Sequence, residues 1–460
     1  MVGGGITGLA AAHRLRELGP ELEIVLLERS DRLGGKICTR PFAGAPVETG
    51  AEAFLMRDAG TESAALGLAA RLGLTDALRR PAPVPAALVI DGELRPIPAG
   101  TLMGIPADPA TVAELAPVAG VDADEGRPLV APGEDVSVGA LVRARLGDAV
   151  VERLVDPFLG GVYAGRADDL SLQATVPGLH RTAQESTTLA DAVVRAMRAA
   201  PRPAGTPVVA SVAGGLSRYV TAVAEAARAQ VRLGETVRAV EPTASGWRVR
   251  TGAAGREAEI DTDAVVLAVP ATPAARLLRG VDAAAAEAVG AVSCASVALV
   301  TLALPAGTVL PPLSGFLVPA GQGYAVKAAT FLTTKWPQLT DGPVIIRASL
   351  GRHGDNELQL TDESLVDLVR AELPRLLGTP LPDPQAARVT RWGGALPQYG
   401  VGHVSRVAAV RSALPPTLGL AGAAYDGVGI AACVRSGEAA AEQVWQALHD
   451  RALHDRALHD

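Results

Sequence analysis

Met1-Val2-Gly3-Gly4-Gly5-Ile6-Thr7-Gly8-Leu9-Ala10-Ala11-Ala12, read with the apolar run Ile24-Val25-Leu26-Leu27 that ends in Glu28, decides the fold. Gly3, Gly5 and Gly8 stand in the G-x-G-x-x-G register ahead of an alanine-rich helical pattern. The following apolar run reads as a buried parallel strand closed by a carboxylate. In such a unit the glycines let backbone approach a pyrophosphate, the helix N-terminus offers unpaired N–H groups, and the acid accepts hydrogen bonds from a ribose. The expected ligand is a dinucleotide, held by Gly3, Gly4, Gly5, Ile6, Thr7 and Gly8, with Glu28 at the ribose and Arg29 among the cofactor-binding candidates. Only Met1 and Val2 precede the glycines, where a strand usually takes about five residues. Additional apolar residues upstream are therefore expected to improve cofactor retention.

The chain has 460 residues, which calls for two or three domains. Its 42 basic and 49 acidic residues give a net charge of −7 without long runs of either sign, which argues against nucleic acid and against a polybasic membrane anchor. Lysine occurs only at 36, 327 and 335, so arginine abundance reflects coding bias and does not by itself mark carboxylate ligands. Cys38, Cys294 and Cys433 are isolated, which indicates neither a disulfide framework nor a zinc site, and a reducing cytoplasm is expected. No basic leader precedes an apolar core and no apolar run reaches about 18 residues, so neither signal peptide nor spanning helix is expected; peripheral membrane contact stays compatible with the composition.

Helical spacing runs from Gly8 to about Leu18 and stops at Gly19-Pro20. Residues 60 to 80 read as a helix, and Ala87 to Leu94 as a hairpin turning at Asp91-Gly92. Proline-rich loops at 117 to 133 and 201 to 207 bracket a mostly helical insert. A helix from Leu216 to about Gln230 precedes strands within Val231 to Val240, Trp247 to Arg250 and Ala264 to Pro270. A strand-rich region spans 290 to 350, a helix Asp362 to Leu377, and a short strand Leu418 to Gly422; Asp426 to Gly437 opens the last helix. Ala-Leu-His-Asp then recurs at 447 to 450, 452 to 455 and 457 to 460. The five-residue step scatters His449, His454 and His459 around a helix, which predicts a solvated tail without a metal site.

The order Gly3 to Gly8, then Glu28-x-x-x-Arg32-x-Gly34-Gly35-Lys36, then Thr49-Gly50-Ala51-Glu52-Ala53-Phe54 resembles the flavin-dependent amine oxidase and protoporphyrinogen oxidase superfamily. The resemblance implies FAD instead of NAD. The fold class implied is α/β plus α+β: a discontinuous Rossmann-like FAD-binding domain (1-80, 206-285, 413-446), a mixed-sheet substrate domain (81-100, 286-412), a helical subdomain (101-205) and a repetitive tail (447-460). By the same resemblance Arg32, Gly34, Gly35, Lys36, Gly50, Ala51, Glu52, Ala53, Val237, Trp392, Val428, Gly429 and Ile430 join the cofactor site.

Gly160 to Gly165 with Leu170-Ser171-Leu172, and Tyr425-x-Gly427-Val428-Gly429-Ile430-x-x-Cys433-x-x-Ser436-Gly437, are similar to porphyrinogen oxidases. Cys433 lies in that helix pattern and not in the sequence that carries flavin covalently in monoamine-type enzymes, so the FAD is expected to be non-covalent. Pro98 to Pro106, with Met103 where many protoporphyrinogen enzymes place arginine, resembles the coproporphyrin-forming bacterial enzymes. The implied reaction is oxygen-dependent conversion of coproporphyrinogen III to coproporphyrin III with peroxide release, in haem biosynthesis. It is driven by the flavin without an obligatory side-chain base. Met103, Tyr163, Lys327, Lys335 and Arg347 are the substrate candidates, the three cations by position alone. Implied partners are the porphyrinogen, molecular oxygen and downstream haem-pathway enzymes. The alternatives are a protoporphyrinogen IX oxidase or a catalytically impaired FAD-binding homologue, with an amine oxidase a remote third.

Overall fold

The computed structural model describes residues 1–457 other than 59, 202–206, 254–255, 340–341 and 356. Its nucleotide-binding unit is a parallel layer assembled from distant pieces. Strand Val25–Glu28 pairs with Gln230–Leu233, and Val265–Leu267 pairs with Leu418–Leu420. Val2 joins the two pairs by bridging Leu27 on one side and Leu267 on the other. Its N–H donates to Val266 O at 2.9 Å, its carbonyl accepts from Ala268 at 2.8 Å, and Leu27 N–H donates to Met1 O at 2.9 Å. Short as it is, the Met1 to Gly3 segment makes the bonds of a central strand on both edges.

The opening helix, Ile6–Leu18, lies against this layer, with Leu9, Ala10, Ala11 and Ala12 buried. Small residues are needed because the helix is sandwiched between Leu216–Ala227 and the closing helix Ile430–Ala457. Gly437 marks the tightest point: a Cβ there would run into the Thr7 carbonyl. Residues 60 to 80 hold less helix than their pattern implies. Ser63 caps a helix of only Ala64–Arg71, Gly73 at φ +68° ends the run, and strand Leu78–Arg79 follows. The repeat segment, read above as a solvated tail, continues the closing helix to Ala457; the His449 ring stacks on Trp445 and Arg451 donates to Ser245 O at 2.9 Å. Residues 458–460 lie outside the described residues.

A seven-stranded mixed sheet forms the second layer, in the order Ala386–Pro397, Cys294–Leu304, Val344–Leu350, Val326–Phe331, Gly315–Leu317, Ala86–Ile90, Glu93–Pro96. The last two strands turn at Asp91 and Gly92, both at positive φ, as a tight hairpin requires. One face packs on helix Asp362–Leu377 through Leu365, Val369, Leu373 and Leu376. That helix has a complete set of end signals: Thr361 accepts from Ser364 N–H, Asp362 and Glu363 occupy the first turn, and Gly378 closes it in the left-handed region. On the opposite face Thr301, Arg347 and Thr330 stand side by side across three strands.

The insert between 101 and 200 forms a separate helical core around Leu141, Leu154, Leu159, Leu172, Leu179 and Val193. A π-helical turn at Val151–Val155 precedes Pro157, and the widened turn accommodates a residue that lacks N–H and would clash with a regular helix. Asp135 ties this unit to the sheet by accepting from Ser171 Oγ at 2.6 Å and Gly402 N–H at 2.8 Å.

Gly437→Ala separates packing from propensity. Alanine would by itself stabilise a helix interior by about 1 kcal/mol, whereas the Thr7 contact makes the variant less stable in urea unfolding. A gain in stability would contradict the close approach.

Candidate active site

Three separated segments build the nucleotide cradle. Gly5 caps the opening helix without a side-chain acceptor, which leaves the N–H groups of its first turn available to phosphate. Gly8 allows the turn because a Cβ there would strike the Gly3 carbonyl. Glu28 accepts from Gly4 N–H at 2.7 Å, Ser30 N–H at 2.9 Å and Ser30 Oγ at 2.8 Å, which orients the carboxylate and leaves capacity for a hydroxyl. Arg29 is exposed beside it. Val237 opens strand Val237–Pro242, just beyond Gly234, whose N–H donates to Ser30 O at 2.9 Å. These groups fit a dinucleotide.

The second segment is the loop 32–38. Gly34 (φ +101°) and Gly35 (φ +58°) hold it in conformations natural to glycine, and Gly34 N–H donates to Gly4 O at 2.8 Å. Arg32 grips the loop's carbonyls, donating to Leu33, Gly35 and Ile37 oxygens at 3.1, 2.7 and 3.2 Å, and its guanidinium lies 6.0 Å from the Trp392 ring centroid. Lys36 is partly buried with no hydrogen-bond or ion-pair partner among the described residues. Burial pushes its ammonium down, and the thiols of Cys433 and Cys294 are its ionisable neighbours.

Thr49 to Ala53 completes the wall. Ala51 N–H donates to Lys36 O at 3.0 Å and Trp392 Nε1 donates to Thr49 O at 2.7 Å, so loop, turn and edge strand are stapled together. Gly50 allows this, since a Cβ would strike the Lys36 carbonyl. Glu52 sits in a buried charge cluster with Lys335 Nζ at 2.6 Å, Trp336 Nε1 at 2.9 Å and the Arg347 guanidinium. Burial pushes its carboxyl up, but Arg347 and Lys335 outweigh that and hold it at about 2. Arg347 also donates to Glu48 O at 2.7 Å. Burial drives the Glu48 carboxyl up to about 7 despite hydrogen bonds from Leu216 N–H (2.6 Å) and the Thr39 hydroxyl (3.0 Å).

The substrate candidates therefore part company. Lys335 and Arg347 neutralise Glu52. Lys327 is 6% exposed, and its side chain forms no ion pair among the described residues. Burial, with Arg352 nearby, pushes its ammonium down to about 7 against the opposing pull of Asp355. Tyr163 is buried at the end of helix Asp156–Tyr163; its ring meets Tyr399 edge-on at 5.6 Å, and its carbonyl accepts from Gln398 Nε2 at 2.8 Å. Met103 occupies a left-handed turn (φ +51°) between strands Thr101–Leu102 and Ile105–Pro106 and packs on the helical core.

The third segment precedes the closing helix. Arg411 grips Asp426 through both carboxylate oxygens at 2.8 and 2.6 Å, and the Ser436 hydroxyl donates to the same carboxylate. This lock sets the turn Gly427-Val428-Gly429, with Val428 against the helical core and Ile430 in the nucleotide-unit core. The buried Cys433 thiol donates to Gly427 O at 3.7 Å, and burial pushes its pKa up. Arg411 and Glu48 carried no motif by which sequence could have singled them out; Asp426 and Ser436 stood within a quoted motif but without an assigned role.

Replacing Glu52 by glutamine strands the buried Arg347 guanidinium and the half-buried Lys335 ammonium and is expected to cost about 3–5 kcal/mol at pH 7. A folded pKa below the ordinary 4.5 adds stability above that value, lost as pH falls toward about 2, so the gap to wild type narrows on acidification. Glu48 has the opposite sign: its raised pKa makes the wild type lose stability as pH climbs from about 4.5 through about 7, a loss that Glu48→Gln should abolish. Urea midpoints between pH 2 and 9 test both, with the Glu52 effect read below about pH 4.5 and the Glu48 effect above it; parallel profiles would contradict the assignments.

The family model for flavin-containing amine oxidoreductases matches residues 6–445. A coproporphyrinogen III oxidase of Mycobacterium bovis is 38% identical over 456 residues, covering 97% of each chain. The Bacillus subtilis coproporphyrinogen III oxidase is 31% identical over 464 residues, covering 96% of each. A crystal structure from Exiguobacterium sp., assigned as a protoporphyrinogen oxidase, superposes with TM-score 0.82 at 32% identity, covering 96% of this chain and 97% of that one. A putrescine oxidase variant shares the fold, with TM-score 0.71 at 21% identity over 97% of this chain and 98% of its own. With a glycine cradle, a ribose-end carboxylate and an uncapped helix N-terminus in place, the chain belongs to the flavin-containing amine oxidoreductase family, as an FAD-dependent oxidoreductase of its coproporphyrinogen oxidase branch.

Proposed function

We propose that this chain converts coproporphyrinogen III to coproporphyrin III with molecular oxygen as acceptor and hydrogen peroxide as product, in haem biosynthesis. The observation that carries the reading is end-to-end similarity to relatives bearing that name, at 38% and 31% identity over nearly the whole chain. Bound FAD would supply a hydride acceptor for the macrocycle's methylene bridge and pass the electrons to oxygen. Gly3 to Gly8, Glu28, Gly34, Gly35 and Val237 would hold its nucleotide half. Lys36, Gly50 to Ala53, Trp392 and Val428 to Ile430 would hold the ring, non-covalently, with the Cys433 thiol turned to Gly427 O.

The chain's own contribution is binding, orientation and exclusion of water. Aromatisation makes the reaction strongly favourable, so no side-chain base is invoked. A substrate with four propionates needs cations. Lys327 is the candidate not engaged with Glu52, and a ligand carboxylate would offset the desolvation that burial imposes on its ammonium. Lys335 and Arg347 support catalysis indirectly, by holding Glu52 and the turn before it. Tyr163 and Met103, at the border of the helical unit, would meet the macrocycle's apolar body. A cytoplasmic location fits the three free cysteines, and among the described residues no helix is long and apolar enough to cross a membrane.

Purified protein should be yellow and should generate porphyrin fluorescence from coproporphyrinogen III in air, with peroxide, and none under anaerobic conditions once the bound flavin is reduced. Colourless protein that takes up no added FAD would sink the reading. Lys327→Met should raise KM for coproporphyrinogen about tenfold with a smaller change in kcat. In the wild type KM should climb as pH passes above about 7, where Lys327 loses its proton, and the variant's profile should be flat. An unchanged KM would remove Lys327 from the substrate site.

A further inference from the structure

We infer that a recess of about 400 Å³ beside the cofactor loop is a second ligand site, built for an oxyanion of the carboxylate or phosphate type. Its wall takes three guanidiniums from three separated segments: Arg32 from the loop, Arg40 from strand Thr39–Phe42 and Arg388 from edge strand Ala386–Pro397, with Thr49, Thr390 and Trp392 between them. Among the described residues no acidic side chain lines it.

The chain is acidic overall, and its arginines elsewhere commonly face carboxylates: Arg391 meets Asp362, Arg411 meets Asp426 and Arg248 meets Asp261. Among the described residues none of the three recess arginines forms an ion pair, so their charges add. Arg388 is held firmly. Its Nη2 donates to Pro41 O at 2.9 Å and its guanidinium carbon lies 5.1 Å from the Phe42 ring centroid. Its Nη1 is buried and finds no hydrogen-bond acceptor. A guanidinium fixed in place with one donor unmatched, next to two further cations, is costly to keep charged, and the negative charge of an anion in the recess would offset that cost. Arg40 is exposed and can close over an occupant from the solvent side.

The recess is distinct from the nucleotide cradle. Arg32 binds the carbonyl edge of loop 32–38, whereas Gly34 of the same loop bridges Gly5 and donates to Gly4 O. Recess and cofactor loop share Arg32 and Trp392, whereas Gly3 to Gly8, Glu28, Gly34 and Gly35 are absent from the recess lining. The inference does not rest on which porphyrinogen the enzyme oxidises.

Two sources share the chemistry: a free anion such as phosphate, and the propionates of a tetrapyrrole. Calorimetric titration of the flavin-loaded protein at low ionic strength separates them, with inorganic phosphate, citrate and coproporphyrin III as probes. Binding is expected to weaken about tenfold or more in Arg40→Ala and in Arg388→Gln, each of which removes a charge-assisted donor. Arg40 is exposed, so its variant keeps the test sound if Arg388→Gln folds poorly. Phosphate and citrate binding that is lost in the variants supports a free-anion site. A variant-sensitive interaction with coproporphyrin alone supports a propionate site. Equal affinities of wild type and both variants for all three probes would overturn the proposal.

Discussion

A Cβ on Gly8 would strike the Gly3 carbonyl and one on Gly437 would strike the carbonyl of Thr7, so the opening helix makes its tightest approaches to its own turn and to the closing helix where side chains are missing. Glycine inside a helix costs about 1 kcal/mol relative to alanine. The cost is offset by what the approach buries, with Ala10, Ala11, Ala12 and Val434 fully removed from solvent. It also brings two helix beginnings, distant in sequence, to one parallel layer. Val2 completes that layer by bonding Leu27 and Leu267 strands at once. The three separated segments proposed to hold the flavin meet through this one steric allowance.

Charge is handled by the same economy. Glu52 holds Arg347 and Lys335 at the junction of turn and sheet, so these two cations fix geometry and are not free for substrate. A buried triad of this kind is weak evidence for net stability, since desolvation consumes much of the Coulombic gain. Its value is positional: Arg347 also grips the Glu48 carbonyl, and with Trp392 on Thr49 it holds residues 48 to 52 from two strands of the sheet. Lys327 and the Arg40, Arg388 pair stand outside this compensation, which makes them the natural places for anionic ligands.

Much was legible in the sequence wherever local signals and long-range packing agree. The glycine register, the Glu28 strand, the Asp91-Gly92 hairpin and the capped helix Asp362–Leu377 all lie where residue patterns placed them. Family resemblance pointed to FAD, which the glycine pattern alone did not. Legibility failed where partners are distant. The 60 to 80 pattern resolved into a short helix flanked by strands because Leu55 and Arg79 pair with strand Val209–Val212, far along the chain. The repeat segment continues a helix because Trp445 and Ser245 give it contacts that its composition does not announce. Lys327, Lys335 and Arg347 looked alike in sequence; only the position of Glu52 tells them apart. Arginine abundance hid Arg40 and Arg388 in the same way.

The central claim is a flavin enzyme whose pocket recognises a porphyrinogen with four propionates. Competition tests it most directly: equimolar coproporphyrinogen III and protoporphyrinogen IX offered together to the flavin-loaded protein in air, with the two porphyrin products separated and quantified at early times. The account predicts coproporphyrin III in at least about tenfold excess, the ratio expected when one or more carboxylate contacts are lost from the poorer substrate. Equal or greater formation of protoporphyrin IX would contradict it.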